Sequence, residues 1–406
     1  MRIGPEGLFH LTYCTKIHPG HGWEELFGNL RRYAPALKAR LAPAKPFGLG
    51  LRLSAMESRE LLAEERLQEF QDFLSAHDLY VFTLNGFPYG DLTIPPVKSR
   101  IFAPDWREPA RLRYTLDLVE ILRRLLPPGV EGGISTIPLS YKPWIAPGDQ
   151  EAWTRISWNL AQVAARLAQI KAAEGKLIHL DLEPEPDGLL ERTEEVAHFY
   201  RDWLLETGAP VLAEQMGLTE AEARQGLLEH IRVCLDTCHL AVEYEDPAAA
   251  LDTLAAAGIK VGKVQITAGL QVKCPREAGS REALTRELTR FTCSPYLHQV
   301  IGQGADGRRV QFPDLAPALP ILTASRQGHW RIHYHMPLFV EQYRRLESTH
   351  ADTRAVLALL KDRKFTRHLE IETYTWEWLP ADLKVELEDS LHREYLWVLE
   401  AMGCEA

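Results

Sequence analysis

Acidic and amide side chains recur at alternate positions within three short and otherwise apolar segments, 177–183, 263–267 and 368–372. Alternate residues of a β-strand point to opposite faces, so the apolar residues of each segment share one face and the polar residues share the other. If the apolar face packs against helices, the polar face points into a sheet or barrel. The residues predicted on that polar face are His179, Asp181, Glu183, Lys263, Gln265, Thr267, His368, Glu370 and Glu372.

Ionised carboxylates inside a folded chain require a cation or a hydrogen-bonding partner. Asp236 ends another apolar segment, 232–236, and joins the set. A divalent cation is the simplest common partner, with Mn2+ or Mg2+ favoured by oxygen ligands and Zn2+ or Co2+ as alternatives. The predicted metal ligands are Glu183, Asp236, Gln265 and Glu372. In the competing explanation each acid pairs with a nearby base, and the sequence offers Arg52, Lys142 and Lys263.

Several further residues are candidates for contacts with a substrate. His239 lies three residues after Asp236 and is expected beside the substrate or the metal ligands rather than on the surface. His333 and His335 share one face of segment 331–336, where they could bind a ligand or be core histidines with satisfied hydrogen bonds. The remaining candidates could bind hydroxyls or an anion, or could neutralise the acids, and they are Arg52, Asn85 and Lys142.

Short strand-like segments alternate along the chain with amphipathic helical ones, which is typical of a parallel sheet covered by helices. Apolar residues at helical spacing predict helices over 57–76, 109–126 and 151–173. Eight strands would close a (β/α)8 TIM barrel, an α/β fold whose active sites lie at the carboxyl ends of the strands. The predicted strands are 12–16, 48–54, 80–85, 133–137, 177–183, 232–236, 263–267 and 369–374, with 331–336 as a ninth candidate.

Three predicted connections are unusually long, namely 86–106, 138–148 and 268–330. Each follows a strand and would lie on the C-terminal face of the barrel, where it could cover a site or form a packing or oligomer surface. The third contains a predicted β-hairpin that pairs 299–303 with 309–312. We therefore expect one TIM-barrel domain over residues 1–406 with an insertion at about 268–330.

The 406-residue chain has a net charge of -10 and an isoelectric point of about 5.9. An acidic chain repels phosphate backbones, which argues against nucleic acid as a partner. Neither a membrane span nor a secretory signal is expected. Six scattered cysteines favour reduced thiols and a cytoplasmic location, although Cys234, Cys238 and His239 leave a weaker zinc alternative. The sequence contains neither a glycine-rich phosphate-binding motif nor a Gly-x-Ser-x-Gly element.

Three motifs, 182–184, 236–239 and 264–266, resemble the sugar isomerase/epimerase branch of the xylose-isomerase-like barrels. The resemblance implies that strands five to eight supply Glu, Asp, His or Gln, and Glu to one metal ion. It also implies that the histidine of the Asp-x-x-His motif lies beside the substrate. Gln265 and Glu372 are 107 residues apart, which marks an insertion and leaves Glu370 as an alternative to Glu372.

A closer resemblance extends over nearly the whole chain. Its motifs are 12–20, 50–54, 83–90, 104–106, 183–186 and 370–376. Together they resemble the EboE family of metabolite-traffic proteins, which implies a xylose-isomerase-like barrel that handles a small metabolite. Lys16 stands where the pattern of that family has Asn.

The function that these residues favour is a metal-dependent sugar isomerase or epimerase acting on a small hydroxycarbonyl metabolite through an enediol. Glu183 and Glu372 would exchange the proton α to the carbonyl, while His239 and Lys142 would stabilise the oxyanion. The alternative is a non-catalytic metabolite-binding or traffic protein on the same barrel. A nuclease of the same superfamily is disfavoured by the acidic charge. The expected partners are the metabolite and, as an open alternative, further copies of the chain.

Overall fold

The computed structural model describes residues 1–90, 98–324 and 328–404. Within these residues, fifteen strands form two sheets. In chain order the strands are β1 (Arg2–Ile3), β2 (Phe9–Tyr13), β3 (Phe47–Arg52), β4 (Leu79–Asn85), β5 (Gly132–Thr136), β6 (Ile178–Leu182), β7 (Ile231–Asp236), β8 (Val261–Ile266), β9 (Leu270–Lys273), β10 (Val300–Gln303), β11 (Arg309–Phe312), β12 (His329–Ile332), β13 (Gln342–Tyr343), β14 (Leu346–Ser348) and β15 (His368–Ile371).

A closed parallel barrel is the centre of the molecule. Its strands follow the order β2-β15-β8-β7-β6-β5-β4-β3, and each hydrogen-bonded pair of neighbours is parallel. An isolated parallel bridge between Cys14 and Gly50 joins β2 to β3 and closes the ring. Glycine is required at this seam, because a Cβ on Gly50 would lie 2.0 Å from Glu370 Oε1. The predicted (β/α)8 TIM barrel is therefore confirmed.

The observed strands differ from the predicted segments mainly at their ends. The first predicted strand, 12–16, is displaced, because β2 ends at Tyr13 and the chain then forms a 3-10 turn over Thr15–Ile17. The last predicted strand, 369–374, is shorter than expected, since β15 ends at Ile371. In both cases the strand stops where the chain leaves the barrel, so the residues just past the strand ends are free to line its mouth.

Most of the helices cover the outside of the barrel, whereas α11 and α12 share a hydrophobic cluster with the second sheet described below. The helices are α1 (Gly22–Leu41), α2 (Ala55–Leu61), α3 (Glu64–Ala76), α4 (Pro109–Leu125), α5 (Gln150–Glu174), α6 (Thr193–Phe199), α7 (Leu205–Met216), α8 (Glu220–His230), α9 (Thr237–Val242), α10 (Pro247–Ala256), α11 (Ala278–Thr289), α12 (Leu315–Ala324), α13 (His350–Arg363) and α14 (Leu387–Met402). The predicted helix 57–76 is divided into α2 and α3, because Ala63 adopts a ψ of 126° between them. The other two predicted helices correspond to α4 and α5.

Between β8 and β15 the chain forms a second, antiparallel sheet. Its strand order is β11-β10-β12-β9-β14-β13, and the pairing of β10 with β11 confirms the predicted hairpin. The predicted ninth strand, 331–336, is wrong in bounds and place. The observed strand β12 ends at Ile332 and pairs with β9 and β10 rather than with a barrel strand. His333 and His335 consequently lie past its end, where Met336 N donates to Ala268 O at 2.8 Å, just after β8.

Parts of two predicted long connections lie outside the described residues. Residues 91–97 belong to the connection 86–106, and residues 325–327 belong to 268–330. In the remaining ranges, the structure contains no helix that is both long and apolar enough to cross a bilayer.

Candidate metal centre

Four neighbouring barrel strands bring the predicted metal ligands to one end of the barrel. Asp236 is the last residue of β7, while Glu183 and Glu372 directly follow β6 and β15. These three side chains are buried, with exposed fractions of 2%, 2% and 4% for Asp236, Glu183 and Glu372. Gln265 lies in β8 between them, in register with Asp236 on one side and with Glu370 on the other.

The Asp236 carboxylate is held by one oxygen and leaves the other unpaired. Oδ1 accepts hydrogen bonds from the backbone N of Cys238 at 2.7 Å and of His239 at 3.1 Å, and from the Thr267 hydroxyl. Oδ2 has no hydrogen-bond partner among the residues that the structure describes. Burial raises the pKa of Asp236 to about 7, although the hydrogen bonds to Oδ1 oppose the shift. A carboxylate oriented through one oxygen in this way is suited to bind a cation through the other.

Burial also raises the pKa values of Glu183 and Glu372. Glu183 Oε2 lacks a hydrogen-bond partner in the described part of the chain. Burial, followed by repulsion from Glu372 and Asp236, raises the pKa of Glu183 well above its usual value. Glu372 Oε1 accepts a hydrogen bond from Asn85 Nδ2 at 3.0 Å. Burial raises the pKa of Glu372 to about 7, although the nearby Lys16 ammonium lowers it. A cation between these carboxylates would relieve their mutual repulsion.

Glu370 and Glu372 differ in their surroundings. Lys263 Nζ donates to Glu370 Oε2 at 2.6 Å, and both side chains are fully buried. Glu370 therefore has its own cation, whereas Glu372 lines the pocket at the barrel mouth. This arrangement favours Glu372 as the metal ligand. Gln265 has neither amide atom hydrogen-bonded to any described residue, so its oxygen is available to a ligand.

Three buried histidines lie beside the acids. Nε2 of His239 and Nε2 of His335 each lie 3.8 Å from Asp236 Oδ2. His239 also belongs with Glu183 and Asp236 to a group whose ligand atoms lie within 4.8 Å of one another, and His333 belongs to a similar group with the other two histidines. Burial lowers the pKa of all three, that of His239 to about 4. Neutral imidazoles of this kind are common ligands of divalent metals.

Lys16 is a site residue to which the sequence assigned no role. It lies in the 3-10 turn after β2, and its side chain is 7% exposed. Its Nζ lies 4.0 Å from Glu372 Oε1, 3.8 Å from the ring centre of Tyr374 and 5.5 Å from that of Tyr296. Its position immediately after the first barrel strand is the sequence signal that could have identified it.

Glu185 is a second site residue without a predicted role. The alternation that directs Glu183 to the pocket continues beyond the strand end to Glu185, which could have revealed it. Its side chain is buried, and Oε2 lies 3.9 Å from His239 Nε2. Burial raises the pKa of Glu185 well above its usual value. The pocket thus contains one more carboxylate than the sequence predicted.

Most of these side chains line a small pocket, whereas Asp236, Gln265 and His335 are not among its described lining residues. Its cavity volume is about 30 Å3, enough for an ion or one or two waters. A metabolite of sugar size would have to displace some of the covering side chains, which come from the connection after β4 and from the segment between β8 and β15. The described lining residues are Lys16, Phe87, Ile101, Phe102, Glu183, Glu185, His239, Tyr296, Leu297, Gln299, His333, Glu372 and Tyr374.

Two predicted substrate contacts lie elsewhere. The Arg52 guanidinium pairs with Glu57 at 3.3 Å. The Lys142 ammonium pairs with Glu191 and, at 2.9 Å, with Glu195. Neither side chain is among the described residues that line the pocket. Both cations therefore have acidic partners of their own, whereas the predicted contact Asn85 does reach the site through its hydrogen bond to Glu372.

No protein-family model and no curated protein sequence matches the chain. Solved structures are similar to it at low sequence identity. They include a xylose isomerase-like TIM barrel protein from Mycobacterium smegmatis in complex with magnesium (10% identity, 97% of each chain covered, TM-score 0.49). Others are a xylose isomerase domain protein from Planctomyces limnophilus (12% identity, 98% of this chain and 99% of that chain, TM-score 0.48) and the IolI protein with a zinc atom (12% identity, 97% and 98%, TM-score 0.47).

The donor set of this chain fits a divalent cation. Carboxylate oxygens of Glu183 and Asp236 are unpartnered within the described ranges, and neutral imidazoles stand beside them. Buried charges of one sign are stable only with a counter-charge. The case for a metal site therefore rests on the contacts of these residues in this chain.

Proposed function

We propose that the chain is a metal-dependent isomerase or epimerase that acts on a small hydroxycarbonyl metabolite. The observation that carries this proposal is the convergence of Glu183, Asp236 and Glu372 around one pocket, as buried carboxylates with raised pKa values. Together with the amide oxygen of Gln265 they form an oxygen-rich set suited to Mn2+ or Mg2+, with Zn2+ or Co2+ as alternatives.

The proton transfer is assigned to the two glutamates. A bound divalent ion supplies Lewis-acid polarisation of a carbonyl and its neighbouring hydroxyl. Glu183 and Glu372 follow β6 and β15, which are separated in the barrel by β7 and β8, so the two carboxyls approach the pocket from different sides. One carboxylate removes the proton α to the carbonyl to give an enediolate. The other carboxyl group returns a proton to the adjacent carbon, or to the opposite face of the same carbon.

The raised pKa values support this assignment. A group that both accepts and donates a proton works best when its pKa is near the working pH. Burial brings the pKa of Glu372 to about 7, so that each protonation state is accessible near neutrality.

Lys16 takes the role that the sequence analysis gave to Lys142. The Lys142 ammonium is occupied by two glutamates, whereas Lys16 lines the pocket 4.0 Å from Glu372. A cation at that distance from the proton-transfer group can stabilise the negative charge that develops on the enediolate oxygen. The oxyanion contact that the sequence analysis also gave to His239 is not part of this proposal, because His239 Nδ1 donates to Pro184 O and leaves an unprotonated Nε2 toward the pocket.

Metabolite binding without turnover is the second candidate function. The pocket supports it, since residues from two connections that follow barrel strands line it and could hold a ligand without turnover. The motifs that resemble the EboE family also support it, because that family is associated with metabolite traffic. Membership in that family is itself a proposal that rests on the sequence motifs.

Solvent deuterium exchange distinguishes the two functions. The protein is incubated in D2O with Mn2+ or Mg2+ and a panel of ketoses and hydroxy-keto acids, and each is analysed for deuterium at the α-carbon and for isomerised product. We expect exchange with at least one compound, its loss in Glu183→Gln, and its retention in the control Lys142→Ala. If the metal is bound and no compound exchanges or isomerises, the isomerase proposal fails and carriage is favoured.

A further inference from the structure

Hydrogen bonds fix the tautomer of two pocket histidines. His239 Nδ1 lies 2.9 Å from Pro184 O, and His335 Nδ1 lies 2.7 Å from Glu372 O. A backbone carbonyl can only accept a hydrogen bond, so each Nδ1 must carry the proton and donate it. The Nε2 of each neutral ring then carries a lone pair that faces the interior of the site.

Gln299 fixes the tautomer of the third histidine, His333. The Gln299 amide nitrogen donates to Pro186 O at 2.9 Å, which determines the orientation of the amide group. Its Oε1 therefore faces His333 Nδ1, at 2.8 Å, and must accept a hydrogen bond from it. His333 accordingly also presents an unprotonated Nε2.

Two of these lone pairs face each other without a proton between them. Nε2 of His239 and Nε2 of His333 are 3.0 Å apart. The third nitrogen, His335 Nε2, has no hydrogen-bond partner in the ranges that the structure describes. An arrangement of three acceptors aimed at one another is stable only if a cation lies among them.

We propose that Nε2 of His239, His333 and His335 bind a second metal ion of the zinc type, together with Asp236 Oδ2. The ligand atoms of the three histidines lie within 4.8 Å of one another. His239 and His335 Nε2 each lie 3.8 Å from Asp236 Oδ2. Tetrahedral zinc with bonds of about 2.0–2.1 Å separates its ligand atoms by roughly 3.3 Å, so small movements complete the site.

This site is distinct from the carboxylate site under "Proposed function" and shares Asp236 with it. Imidazoles select Zn2+ or Co2+, whereas carboxylate and amide oxygens select Mg2+ or Mn2+. His333 and His335 lie between β12 and β14, in the segment that carries the second sheet, and not on barrel strands. The inserted segment thus contributes metal ligands to the barrel as well as covering it.

The charge of the pocket supports a second ion. The described residues around it include four carboxylates, those of Glu183, Glu185, Asp236 and Glu372, and one ammonium, that of Lys16. One divalent ion and Lys16 would leave a sum of -1 in a buried site. A second divalent ion changes that sum to +1, which an anionic ligand such as hydroxide would balance.

Metal analysis of the whole chain tests the second site. The metal-free protein is reconstituted with Zn2+ and desalted; zinc per chain is then measured, and imidazole ligands are detected by X-ray absorption at the zinc edge. We expect two zinc ions in the wild type and one in His333→Ala and in His335→Ala, with the imidazole signal reduced. The matched control is His230→Gln, which alters a buried histidine whose Nδ1 donates to Ile178 O at 2.8 Å at the other end of the barrel. The His230→Gln variant should retain two zinc ions.

The variants separate this inference from the proposed function. Loss of one zinc in Glu183→Gln, with the imidazole signal retained, supports the histidine site. The second site is overturned, and the carboxylate site stands, if the wild type binds one zinc ion without an imidazole signal. In that case Glu183→Gln loses this ion and both histidine variants retain it. If the wild type binds one zinc ion that is lost in the histidine variants and kept in Glu183→Gln, the histidine site is supported and the carboxylate site is contradicted.

Discussion

The interior of the barrel carries two successive layers of polar side chains, two residues apart on the same strands. The lower layer contains Asp181, Lys263 and Glu370, and each of its two acids has one partner at hydrogen-bond distance. Lys263 Nζ donates to Glu370 at 2.6 Å, and His179 Nδ1 lies 2.6 Å from Asp181 Oδ1. Although burial opposes it, Glu370 raises the pKa of Lys263, so this ion pair is stable within the protein.

The upper layer contains Glu183, Gln265 and Glu372, which follow the lower-layer residues by two positions. Asp236 joins it from β7. The Lys16 ammonium lies 4.0 Å from Glu372 of this upper layer, beyond hydrogen-bond distance. The same strands therefore present a layer in which Glu370 has an ammonium at hydrogen-bond distance and a layer whose carboxylates have none among the described residues, although Asp181 Oδ2 and Glu370 Oε1 in the lower layer also lack hydrogen-bond partners there. The comparison indicates that the lower layer stabilises the barrel and that the upper layer is built to bind a cation.

Removing the cation of the lower layer should have the largest effect. In Lys263→Met the Glu370 carboxylate is left buried without a partner, so we expect the free energy of unfolding to fall by about 3–5 kcal/mol. Urea unfolding of the metal-free protein measures it. The control Lys142→Met removes a more exposed ion pair and should change stability by less than about 1 kcal/mol. Equal stability of Lys263→Met and the wild type would contradict the structural role of this layer.

The two late glutamates should differ in their effect on metal affinity. Glu372→Gln removes a proposed ligand charge, and we expect the Mn2+ affinity to fall by about 100-fold or more. Glu370→Gln, which keeps an acceptor for Lys263, should weaken binding less, by about tenfold, because the charge that it removes does not touch the ion. Equilibrium dialysis provides the comparison. The reverse order would transfer the ligand role to Glu370 and invert the roles of the two layers.

Acid should weaken metal binding in the upper layer. The pKa values of Asp236 and Glu372 are both raised to about 7, with burial as the largest cause. Below that pH both carboxyls hold protons that an incoming ion must displace, and above it they are ionised. Mn2+ affinity should therefore fall about tenfold per pH unit for each displaced proton between about pH 7 and 5, and be nearly constant above pH 8. Affinity independent of pH from 5 to 8 would exclude these carboxyls as ligands.

Among the variants that remove a proposed ligand, Gln265→Ala should have the smallest effect. Its amide supplies a dipole rather than a charge, so we expect Mn2+ affinity to fall by about three- to tenfold. The matched control is Gln71→Ala, whose amide donates to Arg124 O between α3 and α4 and lies outside the pocket lining. Calorimetric titration compares the two. A loss as large as that in Glu372→Gln would show that Gln265 orients the site in addition to ligating the ion.

The barrel could be predicted from sequence because its signals are local. Alternation in 177–183 and 263–267 specifies which side chains face inward, and the structure confirms these strands as β6 and β8. The same pattern placed polar residues in two layers. It could not distinguish Glu370 from Glu372, because that distinction depends on which carboxylate of the neighbouring strand β15 pairs with Lys263.

Contacts between distant segments were beyond the sequence. Lys16 and Lys142 each follow a barrel strand, yet only Lys16 lines the pocket, because Glu191 and Glu195 pair with Lys142. The position of His333 depends on where β12 ends and on how the second sheet packs on the barrel. Neither property is encoded in local periodicity, so these histidines were identified as candidates without their geometry.

Calorimetric titration of Mn2+ into the wild type and Asp236→Asn tests the central claim most directly. Asparagine retains the N-terminal cap of α9, so the fold should be preserved and circular dichroism should be unchanged. We predict stoichiometric binding by the wild type and its near-complete loss in Asp236→Asn, because the variant loses a ligand charge at the centre of the upper layer. Binding by folded Asp236→Asn with wild-type affinity would contradict a metal centre at this end of the barrel.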